Sequence, residues 1–353
     1  MTWRSTTAQP GWIDVHHHLI PPAFTAAMAR HGIPEVAGAP LPAWSARESL
    51  STMDAFGIGT ALLSLSAPGV HFGDDREACD LARACNEFAA ETRETHPGRF
   101  GFFATLPMPL TEAACREAIH ALDVLKADGV VLLASTNGIF LGDARFEELM
   151  AELDRRRTVV FVHPNVHPTS LDLGLDLPAF FVEFLCDTTR AATNMIFKGV
   201  IERYPNIRFI LSHAGGFLPY VAWRLSLANA MPSLARHAPH GVLHAIRSFY
   251  FDTALSPSPW AMGALKALVD PSHILFGSDF PFAPRVAVGL ETRSLQELSV
   301  FTEAERVGVV RDHALSLFPY LGHKRRGLDR VKPSLAGRVA RPVIGLAGML
   351  SRR

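Results

Sequence analysis

TVVFVH, at Thr158–His163, runs through Val159, Val160, Phe161 and Val162 without a polar break and stops on a histidine before Pro164. An unbroken β-rich apolar run of this length is how a parallel strand covered on both faces reads. The form recurs along the chain. IDVHHH (Ile13–His18), TALLSLS (Thr60–Ser66), RFGFFATL (Arg99–Leu106) and GVVLLA (Gly129–Ala134) precede it. IRFILSH (Ile207–His213), SFYFDTA (Ser248–Ala254) and HILFGSD (His273–Asp279) follow. Each pair is separated by enough chain for a helix. Asp74–Thr95 carries Ala, Leu and Phe at helical spacing, and Thr111–Ala127 opens with Thr-Glu-Ala-Ala, a capping start. Asp143–Arg156 places Phe146, Leu149, Met150 and Leu153 on one face. Eight strands alternating with helices predict an α/β fold, a (β/α)8 TIM-like barrel, with its site at the C-terminal strand ends. The Pro-rich stretch from Leu19 to Gly59 reads as a small insertion between the first two strands, near the barrel mouth.

Composition narrows the class. The 353 residues are 48% hydrophobic and 19% charged, so a disordered or collagen-like chain is excluded. Thirty-four basic against 34 acidic residues argue against a nucleic-acid binder. The four cysteines, Cys79, Cys85, Cys115 and Cys186, are scattered through a long chain, which suggests reduced thiols. No signal-like start and no apolar run near 18 residues is present, so a cytoplasmic enzyme is expected. The charge balance hides an asymmetry. His323–Arg353 has nine Lys/Arg against one acid, Asp329, which is +8 for the tail and −8 for residues 1–322. Two segments follow: a barrel over 1–322 and a basic C-terminal tail over 323–353. Contact of the tail with an anionic membrane surface is one reading of it. The favoured one is a solvated or loosely docked extension drawn to the acidic barrel.

The strand ends carry the chemistry. Alternation puts His16 and His18 on one face with Asp14, while His17 points the other way and packs between strand and helix. His163, His213 and Asp279 end the fifth, sixth and eighth runs. A barrel brings all five groups to one mouth, where imidazoles and a carboxylate suit one divalent metal ion with an open position. Asp252, ending the seventh run, is either a partner for a ligand histidine or a loop cap. His71, in the loop after the second run, is a candidate to bond a substrate oxygen. Phe72, Phe180, Phe217 and Phe282 offer apolar area around the mouth for an aromatic ring.

IDVHHHLIPP, FVHP, ILSHAGG and LFGSDFPF together resemble the motifs of the amidohydrolase superfamily, in its branch related to aminocarboxymuconate semialdehyde decarboxylase. The similarity runs from about Ile13 to about Leu321 and includes the W-x5-L-x2-MD-x-x-G element at Trp44–Gly57. VHHHLIPP, TALLSLSAPGV, LLASTNG and the DTTRA at Asp187–Ala191 look most like the 6-methylsalicylate decarboxylases and their bacterial relatives. The resemblance implies that His16, His18, His163 and Asp279 are metal ligands and that His213 is catalytic. It also implies that Arg224 binds a substrate carboxylate from the neighbouring subunit, so a homodimer is expected.

Two departures narrow the chemistry. The fourth run ends VVLLAST, without the bridging Lys or Glu that a binuclear site needs, so one ion is expected, Zn2+ in preference to Mn2+. The family's arginine five residues after the tryptophan is Ser49 here, unless Arg47 substitutes. A dicarboxylate would leave one charge unmatched, and a small aromatic monocarboxylate fits that loss. The leading expectation is non-oxidative decarboxylation of an aromatic ortho-hydroxy acid, 6-methylsalicylate to m-cresol and CO2, with Asp279 as first candidate for proton donor. Hydrolysis of a lactone or amide at the same ion is the alternative, and a silent barrel acting as a scaffold is the third.

Overall fold

The computed structural model describes residues 11–173 and 175–322. The tail at 323–353 lies outside the described residues. Eight parallel strands form the sheet: β1 (Trp12–His18), β2 (Ile58–Ser64), β3 (Phe100–Thr105), β4 (Gly129–Leu133), β5 (Val159–His163), β6 (Arg208–Leu211), β7 (Tyr250–Asp252) and β8 (Ile274–Leu275). Their spatial order is their chain order. The chain beyond β8 closes the ring on β1. Val15 N–H donates to Phe276 O (2.9 Å), Asp279 N–H to His16 O (2.8 Å) and His18 N–H to Phe280 O (2.7 Å). The molecule is a (β/α)8 barrel, as the repeated apolar runs predict.

Helices cover the outside, and their ends show which local signals acted. The helix Asp75–Thr95 is capped by Asp74, whose carboxylate accepts from Glu77 N–H (2.7 Å). Thr111 does not cap its helix. Leu110 holds the N-cap position of Thr111–Asp123, and the Thr111 hydroxyl donates instead to the Arg145 carbonyl (2.7 Å). The third expected helix begins as a 3-10 turn, Ala144–Phe146, capped by Asp143, and continues as Glu147–Arg155.

The insertion between β1 and β2 is structured. It contains the helix Pro22–Arg30, a hairpin of Glu35–Val36 with Ala39–Pro40, and the helix Ala46–Phe56, which buries Met53, Ala55 and Phe56. Inside the barrel, Ile13, Val15, Leu62, Phe103, Phe161 and Ile210 pack together, and Phe318 and Leu321 join them from the chain's last described turns. Phe103 stacks on Phe161 at 5.5 Å and meets Phe318 edge-on at 6.0 Å. This apolar plug shuts one end, which leaves the other for chemistry.

β1 departs from strict alternation. Asp14 is in register with Ala61 and His17 with Leu63, so three steps of β1 oppose two of β2. This bulge turns His16 and His18 inward after Val15, while Asp14 and His17 stay on the outer face. Asp14 therefore does not share a face with the histidine pair. Its carboxylate accepts from His17 Nδ1 (3.0 Å) and from the Ser278 backbone N–H (3.1 Å). His17 Nε2 reaches Ser49 Oγ (3.2 Å) on the neighbouring helix, so His17 packs between strand and helix as expected.

Candidate metal centre and its pocket

Four strand ends, those of β1, β5, β6 and β8, deliver the groups. The donor atoms of His16, His163, His213 and Asp279 lie within 4.8 Å of one another, and all four residues are buried. His18 stands beside them, its Nε2 3.0 Å from His16 Nε2 and 3.0 Å from Asp279 Oδ1. Compared with the expected ligand set, this group of four contains His213 and not His18.

The remote nitrogens separate the histidines into two kinds. His16 Nδ1 donates to Asp252 Oδ2 (2.7 Å), His18 Nδ1 to the Ser64 carbonyl (3.1 Å) and His163 Nδ1 to the Pro164 carbonyl (2.8 Å). A carbonyl or carboxylate acceptor fixes the proton on Nδ1 and leaves the Nε2 lone pair for a cation. His213 is different. Both its ring nitrogens are buried without a hydrogen-bond partner, and Nε2 is 3.6 Å from Asp279 Oδ2. Its backbone adopts φ 54°, as does that of Asp279, a left-handed conformation that costs a non-glycine residue about 1–2 kcal/mol.

These atoms suit a cation. The lone pairs of His16 and His18 converge at 3.0 Å, a repulsive arrangement unless positive charge lies between them. Asp279 Oδ1 is buried with no hydrogen bond although it stands 3.2 Å from His16 Nε2. Burial opposes charge on His16, but the Asp252 and Asp279 carboxylates outweigh it and raise its pKa to about 10. Burial would likewise raise Asp279, yet the His16 imidazolium beside it holds the carboxyl well below the usual range. His163 is pushed well below its ordinary value by burial and by the neighbouring imidazoles. The cluster thus demands one positive charge, and a divalent ion supplies it where a proton on His16 otherwise would. β4 ends at Leu133, with Ala134 and Ser135 next, so that strand adds no bridging ligand.

Asp252 takes both roles anticipated for it. Besides holding His16, its Oδ1 accepts from the backbone N–H of His213 (2.9 Å) and of Ala254 (3.0 Å). One carboxylate therefore orients a ligand and the catalytic candidate together. Gly277 makes this packing possible, because a Cβ there would sit 2.7 Å from His16 Cβ and 3.2 Å from Asp252 Cβ. Asp187, in the helix Glu183–Phe197, ties down the loop after His163. It accepts from Ser135 Oγ (2.7 Å) and from Asn165 N–H (2.8 Å), and burial raises its pKa to about 6.

A cavity of about 430 Å³ stands over His163, His213 and Asp279. Phe180, Phe181, Phe184 and Phe282 form its aromatic walls, and Val36 and Ala39 reach in from the insertion. Leu255, Ala283 and Ala287 complete the apolar surface, and Ser66 is among the few polar groups. Among the described residues, no lysine or arginine lines it. Arg47 does not substitute for the missing family arginine, since it borders a surface hollow with Asp54 and His96. Ser49, at that position, is buried against His17. His71 belongs to a neighbouring cavity of about 20 Å³, where its Nε2 is engaged by Asp75 Oδ1 (2.9 Å), so it is outside the main pocket. Phe180 lies where expected, whereas Phe217 is exposed and Phe72 stacks on His31. Arg224 is on the exposed face of the helix Leu218–Ser226, away from its own chain's pocket.

The described cysteines are all free, and no described helix is long and apolar enough to cross a membrane. The amidohydrolase family profile matches residues 13–319. The chain is 38% identical over 315 residues to 6-methylsalicylic acid decarboxylase of Penicillium expansum, covering 88% of this chain and 96% of that one. A crystal structure described as amidohydrolase II superposes with a TM-score of 0.81 at 31% identity, covering 87% of this chain and 99% of the other. A dihydroxybenzoic acid decarboxylase from Polaromonas sp. JS666, with bound manganese and the inhibitor 2-nitroresorcinol, gives 0.75 at 26% identity, with 88% and 97% covered. Fold, strand-end donors and profile agree over the same span: the chain belongs to the amidohydrolase family.

Proposed function

We propose that this protein is a metal-dependent, non-oxidative decarboxylase of ortho-hydroxybenzoates, a carboxy-lyase that converts 6-methylsalicylate to m-cresol and CO2. The observation that carries the reading is the junction of two surfaces. Anchored imidazoles and Asp279 form the floor, and an aromatic cavity lined by no described lysine or arginine stands over it. The similarity to 6-methylsalicylic acid decarboxylase supports the same substrate class.

His16, His18, His163 and Asp279 would hold one divalent ion, zinc by donor preference, although a related enzyme carries manganese. An ion held there would supply Lewis-acid stabilisation of negative charge that develops on the substrate's oxygens. The aromatic walls exclude water and fix the ring plane. Loss of CO2 from an intact ring would leave an aryl carbanion, so the carboxyl-bearing carbon takes a proton first. The C–C bond then breaks, its electron pair restores the aromatic ring, and CO2 leaves. The Asp279–His213 pair delivers that proton, and His213 is its unengaged member.

No described lysine or arginine lines the pocket, which suits a homodimer in which Arg224 enters the partner's site. Around Arg224, Tyr220 is 88% and Trp223 74% exposed, an apolar face that a second copy would cover. Sedimentation of the purified protein at the mass of a dimer, with KM rising in Arg224→Ala, is expected. A fully active monomer would contradict this arrangement. A cytoplasmic enzyme remains our reading from the free cysteines.

The test of the reaction is anaerobic turnover of 6-methylsalicylate beside an aryl lactone, following CO2, m-cresol and lactone opening. CO2 and m-cresol in equal amounts are expected. Lactone opening without CO2 from any ortho-hydroxybenzoate would move the assignment to the hydrolase.

A further inference from the structure

We infer that the site is built for ortho-hydroxybenzoates carrying an apolar substituent of several carbons, and that 6-methylsalicylate is the small end of its range. The inference rests on the decarboxylase reading and deepens it by naming the substituent. The first observation is volume. An apolar cavity of about 150 Å³ is enough to hold benzene, whereas this pocket measures about 430 Å³. A single ring with its carboxylate, hydroxyl and methyl is smaller than that space, part of which the ion and the partner's Arg224 would take, and unfilled apolar space forfeits contact.

The second observation is where the extra space leads. His163, His213 and Asp279 lie at strand ends, so the reacting groups occupy the floor. Away from the floor the walls are small or aromatic: Ala39 on the hairpin, Ala287 on the helix Arg285–Glu297, and Phe180 and Phe181 on the turn Ala179–Phe181. Polar groups that would hydrogen-bond a hydroxylated or charged extension are scarce there, so the extension is hydrocarbon. The third observation is continuity. Phe181 lines the pocket and is also 60% exposed, and the chain before it presents Leu175 at 55% and Leu177 at 42%. The apolar wall therefore runs out past Phe181 toward Leu175 and Leu177, which flank the exposed Asp176, and the leucines of that rim give an alkyl chain a surface to follow.

The experiment compares kcat/KM of the metal-loaded enzyme for methyl, propyl and pentyl salicylates substituted at C6 and, in a parallel series, at C4. In at least one series kcat/KM should rise with length, by up to about fourfold per methylene, the ratio that ~0.8 kcal/mol per buried CH2 corresponds to. Ala287→Phe and Ala39→Leu, on separate elements, should each lower the pentyl-to-methyl ratio at least tenfold. A fall from methyl to propyl in both series overturns the inference and leaves the decarboxylase reading standing. So does a ratio that neither variant changes. Absence of CO2 from every member, methyl included, sinks the decarboxylase reading itself.

Discussion

The two ends of the barrel are made from the same strands and obey opposite rules. At the closed end, Ile13, Val15, Phe103 and Phe161 fill space with hydrocarbon and have no polar obligations. One to five residues further along β1 and β5, the groups become His16, His18 and His163, each tied through Nδ1 to an acceptor and each directing Nε2 at a common point. The closed end lowers the free energy of the fold. The open end stores unfavourable features: facing lone pairs, an unpaired carboxylate oxygen, and left-handed backbone at His213 and Asp279. The difference teaches that the polar end is organised for a ligand it does not itself contain, and that stability resides elsewhere.

Substitutions at the two ends should therefore separate stability from function. The largest effect is expected from His213→Ala, which should lower turnover by about 10²–10⁴-fold while metal content stays near one ion per chain. Loss of the ion in that variant, measured by elemental analysis, would place His213 among the ligands. At the closed end, Phe103→Ala should cost about 3–5 kcal/mol of stability and leave metal affinity in the surviving folded protein unchanged. A Phe103→Ala enzyme that binds metal weakly in titration would break the separation.

Asp187 lies between the two regimes, since it braces the loop after His163 from a helix. Its folded pKa of about 6 is above the ordinary 3.8, so the folded state binds the proton more tightly than the unfolded chain. That carboxylate's contribution to stability falls as pH rises from about 4 to 6 and stays low above it. Asp187→Asn lacks this titration, so its stability relative to the parent should improve by up to about 2–3 kcal/mol between pH 4 and 7. Parallel denaturation curves at the two pH values would show otherwise if the gap did not change. Smallest, Asp252→Asn should weaken metal binding by about 10–100-fold, because an amide still holds the His213 N–H but grips His16 Nδ1 less firmly. An unchanged metal affinity would mean that His16 needs no such anchor.

Much of this was legible in the sequence because burial on both faces leaves a simple mark. The eight apolar runs mapped onto the strands, and His16, His163, His213 and Asp279, from four of them, onto one buried cluster. What was illegible depended on distant chain or on local irregularity. The bulge in β1 puts Asp14 with His17 instead of with His16, and no period-two pattern announces an extra residue. Thr111 sits at a good capping position, yet its hydroxyl is drawn off by Arg145, which is remote in sequence. His71 emerges from the correct end of the barrel but is captured by Asp75, one helical turn on. The pocket walls came from Val36, Phe184, Leu255 and Ala287, on four separate segments that only the closed barrel brings together. Phe181 was within sight of Phe180, and the adjacent aromatic pair was the signal for it.

The central claim is that the open end is complete only with one divalent ion and that this ion is required for decarboxylation. The direct measurement is CO2 release from 6-methylsalicylate by protein stripped with a chelator and then titrated with Zn2+ or Mn2+, with bound metal counted in the same samples. Activity that vanishes on stripping and returns in proportion to the ion, saturating at about one per chain, is the predicted result. Undiminished CO2 release by the stripped protein would contradict the account.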